Sequence, residues 1–281
     1  MLNKQEVKEL KVFATQLRIE TVKMLGHLGF GHLGGALSIA DTIAVLYGGT
    51  MNIDPKNPGW EDRDWLVSSK GHAGPTIYAA LALKGYFPVE ELLTINTPGT
   101  HLPSHCDRNL TIGIDMTTGS LGQGASTAMG VAEGHRYAGR DNWTYLILGD
   151  GETQEGQVWE AVSYAGAHKL DNLIAFVDNN KQQLDGFTAD VHEIFDFKAK
   201  FESFGWHGID VDGSDVEAIY NAIEAAKAVK GKPSVIILDT VKGEGASFVA
   251  GVEKNHHVTI SKEQMTQALG ELEAKLLEVQ A

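Results

Sequence analysis

With 281 residues, 43% of them hydrophobic and 21% charged, the chain has room for one large or two small domains and is too apolar for disorder or a coiled coil. Its formal charge of −14, from 23 Lys and Arg against 37 Asp and Glu, repels phosphate backbones and anionic lipid, so neither nucleic acid nor membrane is an expected partner. The polar N-terminus lacks an apolar h-region, no apolar run reaches about 18 residues, and the lone cysteine, Cys106, excludes an internal disulfide; the expected location is cytoplasmic.

Along the chain, Leu10, Ala14, Leu17, Thr21, Met24 and Leu28 alternate spacings of four and three, which predicts an amphipathic helix over 3–28. A buried helix is expected over 36–48, ended by Gly48 and Gly49, then a polar turn region and a short strand at 65–67. Another helix follows Pro75 and stops at Gly85. Residues 94–124, rich in Thr, Gly, Pro and His without periodicity, read as a long functional loop. From there the pattern is regular: helices at 124–138, 156–169, 195–204 and from Ser214 or Asp215 to 229, alternating with strands at 145–148, 173–177, 209–211 and 235–238. Short Val, Ile and Leu runs between helices imply a parallel sheet covered on both faces, so the fold class is α/β, a doubly wound and mostly parallel sheet. A last helix at 261–281 begins at Ser261 and carries Met265, Leu269, Leu272 and Leu276 or Leu277 as its apolar stripe. No linker or repeat divides the chain, and 1–281 reads as one domain.

Two segments, YLILGDGETQEG at 145–156 and LIAFVDNNKQQLDG at 173–186, each begin as an apolar strand and turn polar where the strand should end. In a parallel sheet the carboxyl ends of adjacent strands lie side by side, so Asp150 and Asn180 are expected to face one crevice. Mg²⁺ prefers six oxygens, one or two of them from protein carboxylates. Asp150, the Asn180 amide and a backbone carbonyl just after it, with a diphosphate, would satisfy that demand. Gly149 and Gly151 permit a tight turn, and the helix beginning near Gly156 turns its N-terminus towards the anion. Alone, GDG reads more readily as an ordinary strand-to-helix turn; the DNN run after a second strand is what makes it a site.

GDG followed some thirty residues later by NN resembles the thiamine-diphosphate-binding motif of thiamine-dependent enzymes. The run MTTGSLGQG at 116–124 and GDGETQEG at 149–156 are similar to the corresponding segments of transketolases, and the likeness extends from about Gln16 to His257. The resemblance implies a thiamine-diphosphate-binding fold and ketol transfer: a two-carbon group passes from a ketose or its phosphate to an aldose. Carbohydrate metabolism of the pentose phosphate type is the expected setting. Asp150, Asn180 and the Gln182 carbonyl would hold Mg²⁺. Gly119, Ser120, Leu121, Gly151, Glu155, Glu160 and Asn180 would line the cofactor.

Four of the eleven histidines stand in similar context. His32 lies in FGHLGG, where the family has SGHPGG; His72 lies in SSKGHA; His105 follows LPS; and His256 follows Asn255, where the family has Trp, with His257 as a rival. An imidazole can bond a diphosphate, orient a hydroxyl or shuttle a proton near pH 7. By resemblance His72 and His256 would contact the diphosphate and reacting region, while His32 and His105 would bind donor oxygens. His101, His105, Cys106 and Asp107 are also zinc-ligand types, but a closed structural site normally needs paired spacings that one cysteine does not supply.

In transketolases a glutamate of a second, pyrimidine-binding domain activates the cofactor, and its segment follows everything matched here. The chain is therefore expected to be the diphosphate-binding half of a split transketolase, completed by a separate pyrimidine-domain subunit in a heterotetramer. The competing readings are a subunit of a 2-oxo acid dehydrogenase or decarboxylase, and a noncatalytic thiamine-diphosphate-binding protein.

Overall fold

A computed structural model describes residues 1–281. In chain order the first half contains α1 (Lys4–Leu28), β1 (Phe30–Gly31), α2 (Leu33–Leu37), α3 (Ala40–Val45), β2 (Trp65–Ser68), α4 (Gly74–Leu83), α5 (Gln123–Tyr137) and β3 (Thr144–Gly149). The second half contains α6 (Gly156–Ala167), β4 (Leu173–Asn179), α7 (Thr188–Val191), α8 (Phe197–Ser203), β5 (His207–Asp212), α9 (Val216–Ala228), β6 (Ser234–Asp239), β7 (Val258–Thr259) and α10 (Lys262–Gln280).

Five strands form a wholly parallel sheet in the order β2-β3-β4-β6-β5. Successive strand residues serve opposite layers: Tyr145, Ile147, Phe176 and Ile236 enter the core under α1, α3, α4 and α9, while Leu146, Leu148, Val177 and Ile237 enter the core under α5, α6 and α8. Burial on both faces explains why these strands read as unbroken apolar runs. Register aligns Gly149 with Asp178 and Asn179 with Asp239, so the loops after β3, β4 and β6 leave the sheet at one edge.

Local sequence sets the helix ends. Asn3 and Ser261 cap α1 and α10 through capping boxes with Glu6 and Gln264, and Asp215, rather than Ser214, caps α9 by accepting from the N–H groups of Glu217 and Ala218. On α10, Ala268 and Leu272 are buried against α1, and Leu276 packs on the core while Leu277 is exposed. No helix is long and apolar enough to cross a membrane.

Two features differ from expectation. The continuous helix expected over 36–48 is instead α2, a break at Ser38–Ile39, α3 and a π-helical turn over Leu46–Thr50. The break lets the Ser38 hydroxyl donate to Asp178 (2.6 Å) beneath the sheet edge. The second is a two-residue antiparallel ladder, Phe30 with Thr259 and Gly31 with Val258, too short to leave a sequence pattern. It brings the residues flanking His32 and His256 together although they are more than two hundred positions apart.

Candidate active site

At the carboxyl edge of the sheet lies a cavity of about 310 Å³, at the small end of ligand sites. Among the residues lining it are Lys70, His72, Leu121, Asp150, Gly151, Glu155, Asn180, Gln182, Lys242 and His256. A larger cleft of about 670 Å³ lies elsewhere, between α1 and α10, where Arg18 pairs with Asp41 (2.5 Å) and Lys275 with Glu278 (3.0 Å).

Asp150 begins the turn after β3 and is buried. Its Oδ1 accepts from Gly151 N (2.7 Å) and its Oδ2 from Lys181 N (2.6 Å), leaving lone pairs on both oxygens. Burial, then the nearby Asp178 carboxylate, pushes Asp150 up to about 7. A divalent cation would reverse that penalty. Asn180 donates through Nδ2 to Asp178 (2.8 Å) and accepts through Oδ1 from Gln182 N (3.1 Å). The Gln182 carbonyl accepts from the Lys242 ammonium (3.2 Å). One carboxylate, one amide and one carbonyl-bearing residue thus line the same cavity, a donor set of the type that fits Mg²⁺ completed by phosphate and water oxygens.

Two buried lysines offset the local negative charge. Lys70 pairs with Asp178 at the floor, and Lys242 lies 3.4 Å from His256 Nδ1. Burial would raise Asp178, but Lys70 and the hydroxyls of Ser38 and Thr240 hold it below the usual carboxylate range. Burial, reinforced by Lys70, brings Lys242 down to about 8. Neither lysine was among the expected site residues; Lys70 sits between Ser69 and Gly71 of the His72 motif and Lys242 follows β6, and only packing shows that both are buried.

Glu152 is a third unexpected participant. It is buried, and its carboxylate accepts from Gly122 N (2.8 Å), Gly149 N (3.0 Å) and the Ser69 hydroxyl. Three loops of the site are tied together by this one side chain. Gly151 is required by space, since a Cβ there would lie 2.6 Å from Gln183 Cβ; Gly119 is required by its φ of 144° beside the His105 ring.

The four expected histidines meet. His72 and His256 rings are 4.5 Å apart on the cavity wall, and His32 stands over them at 5.5 and 5.3 Å, with His105 5.3 Å from His32. The long loop delivers His105: Tyr78 OH donates to the carbonyls of Pro103 (3.0 Å) and His105 (3.1 Å), and Thr118 Oγ1 donates to Ser68 O (2.7 Å). Asn255, where the family has Trp, is buried and donates to the Lys242 (3.1 Å) and Val249 (2.8 Å) carbonyls, which fixes the neighbouring His256. His257 points outward, against Phe30 (5.7 Å) and the edge of His32 (4.9 Å). Burial and neighbouring positive charge hold His256 down to about 3 and His32 to about 4; burial also lowers His72 well below 6.5 and lowers His105. All four imidazoles are thus shifted towards the neutral form, in which a ring carries one N–H donor and one acceptor nitrogen.

Not every expected residue lines the cavity. Ser120 is exposed, and Gly119 lies beside His105 outside the wall. Glu160 is on the solvent side of α6, because Val158, Ala161 and Val162 turn the other side of that helix inward; Glu155 reaches the rim. The zinc-ligand types part company: Cys106 is buried in the core, His101 is exposed, and His105 joins the other histidines.

The sequence matches the family described as "Transketolase, thiamine diphosphate binding domain" over residues 10–276. It is 50% identical over 272 residues to the 6-deoxy-6-sulfo-D-fructose transketolase subunit SqwG of Clostridium sp. (strain MSTE9), covering 97% of this chain and 98% of that one. It is 37% identical to an apulose-4-phosphate transketolase subunit of Actinobacillus succinogenes (strain ATCC 55618 / DSM 22257 / CCUG 43843 / 130Z), covering 86% and 87%. The transketolase structure from Campylobacter jejuni subsp. jejuni NCTC 11168 superposes with a TM-score of 0.88 at 32% identity; the match covers 99% of this chain but 46% of that one. The chain belongs to the transketolase family, matched nearly end to end by relatives that are themselves named transketolase subunits.

Proposed function

We propose that the chain is the diphosphate-binding subunit of a two-subunit transketolase, moving a two-carbon ketol group from a ketose to an aldose, with residues 1–281 acting as one unit. The observation that carries this reading is the abutment of an oxygen donor set suited to Mg²⁺ on a cluster of four histidines. Relatives of similar length carry the name of transketolase subunits, which supports a separate partner that supplies the pyrimidine-binding half. A two-by-two assembly is the proposed form, in a cytoplasmic setting.

Asp150, Asn180 and the Gln182 carbonyl hold Mg²⁺, while Lys70, Lys242, His72 and His256 balance and bond the diphosphate. Gly119, Ser120, Leu121, Gly151 and Glu155 shape the cofactor's surroundings. Glu160, on the outer side of α6, is assigned to the contact between subunits. Thiamine diphosphate supplies, when bound, the electron sink for breaking and forming the bond beside the donor carbonyl. His32 and His105 hold hydroxyl and carbonyl oxygens of the sugar, and a neutral imidazole among the four moves the hydroxyl proton. The names of the two relatives suggest a donor or acceptor with an anionic end, sulfonate or phosphate.

The test is to copurify the chain with its partner and assay xylulose 5-phosphate, apulose 4-phosphate and 6-deoxy-6-sulfo-D-fructose as donors, with thiamine diphosphate and Mg²⁺. Turnover of at least one ketose is expected. Turnover of 2-oxo acids in place of ketoses would favour the dehydrogenase or decarboxylase reading.

A further inference from the structure

Asp178 is the penultimate residue of β4, two residues before Asn180, and does not line the cavity. Its carboxylate is fully buried and accepts from four side chains: Ser38 Oγ (2.6 Å), Asn180 Nδ2 (2.8 Å) and the Lys70 ammonium on Oδ2, and Thr240 Oγ1 (2.5 Å) on Oδ1. An ionised carboxylate has about four lone-pair sites and no proton to give. All four are used.

A carboxamide has two ends of nearly equal shape and opposite chemistry, and only the oxygen can ligate a cation. Asp178 accepts the NH₂ end of Asn180 and would repel the oxygen end. The backbone N–H of Gln182 bonds the oxygen from the other side and leaves it a lone pair. We propose that Asp178 is a positioning residue: it locks the Asn180 amide with its oxygen towards the cation site, and the Lys70 ammonium with the Ser38 and Thr240 hydroxyls holds the carboxylate in place. This rests on the reading of Asp150, Asn180 and Gln182 as the Mg²⁺ site. The break after α2 and the strand-end position of Thr240 both serve the same lock, since they bring Ser38 and Thr240 to the carboxylate.

A double-mutant cycle tests the proposal. Mg²⁺ is titrated into the complex of chain and partner at saturating thiamine diphosphate. Fluorescence of Trp159 is followed, because its indole N–H donates to Thr153 O (2.7 Å) in the turn after Asp150. Asp178→Asn and Asn180→Ala are each expected to weaken Mg²⁺ by about 10–100-fold, the range for partners that orient metal ligands. The double variant should be no weaker than Asn180→Ala within about twofold, because Asp178 acts only through Asn180. Ser38→Ala, which removes one donor from Asp178 but leaves Asn180 held, should shift Mg²⁺ affinity by less than about twofold.

Asp178→Asn strands the Lys70 ammonium in the interior, so the same cycle is repeated in a Lys70→Gln background, where any direct contribution of Lys70 cancels in the ratio. Losses that multiply in the double variant, in either background, overturn the positioning role. Unchanged Mg²⁺ affinity in Asn180→Ala and Asp150→Ala would instead overturn the cation-site reading itself.

Discussion

Glu152 offers a direct measure of how the site is held together. Replacing it with Ala removes the shared acceptor of Gly122 N, Gly149 N and Ser69 Oγ and leaves two backbone N–H groups buried without a partner. A hydrogen bond to a charged group contributes about 1.5–3 kcal/mol, and each orphaned buried donor costs about 1–3 kcal/mol. Burial of the carboxylate opposes this and pushes Glu152 upward from its ordinary pKa, so the net loss is set at about 3–5 kcal/mol. For a chain of this size that corresponds to a fall in Tm of about 6–20 °C. The same change frees the 119–122 loop from the turn at Asp150, so affinity for thiamine diphosphate with Mg²⁺ should fall at least about tenfold. Thermal unfolding by circular dichroism and a fluorescence titration of the assembled complex measure the two effects. A Tm within about 2 °C of wild type together with unchanged cofactor affinity would refute the argument.

Asp150→Ala should abolish Mg²⁺-dependent cofactor binding by the complex while leaving the chain's association with its partner intact, read by isothermal titration and size exclusion; retained binding would refute the metal assignment. His32 and His256 are neutral when folded and protonate near 6.5 when unfolded, so as pH falls below 6.5 the unfolded state takes up protons first and stability declines towards about 4. Allowing for partial exposure, the two together contribute about 2 kcal/mol of that decline at pH 5. Asp150, raised to about 7, acts in the opposite direction, so the test is a comparison: Tm of His32→Asn/His256→Asn should fall less from pH 7 to pH 5 than that of wild type, and equal slopes would contradict the shifts. Gly151→Ala should lower cofactor affinity more than Gly156→Ala, since a Cβ meets Gln183 at 2.6 Å in the first and open space in the second; equal affinities measured by titration would overturn the steric argument.

The sheet was legible because parallel strands buried on both faces leave continuous apolar runs, and the polar switch after 148 and 177 marks the strand ends where Asp150 and Asn180 emerge. The histidines were legible as motifs, but their meeting point was not. It depends on the ladder of Phe30–Gly31 with Val258–Thr259, which is two residues long and has no period to detect. Lys70, Glu152, Asp178 and Lys242 escaped notice for a related reason: sequence shows their charge, whereas their role follows from burial against partners as distant as 140 positions, the separation of Ser38 from Asp178. For Glu160 the resemblance implied a place beside the cofactor; within the chain, Val158, Ala161 and Val162 set the inward side of α6 and leave Glu160 at the surface.

Ketol transfer measured with the chain alone and with its partner subunit, both with thiamine diphosphate and Mg²⁺, tests the central claim most directly. The chain alone should give no turnover, and adding the partner should restore it in proportion to complex formed; ketol transfer by the chain alone at the rate of the complex would contradict the claim.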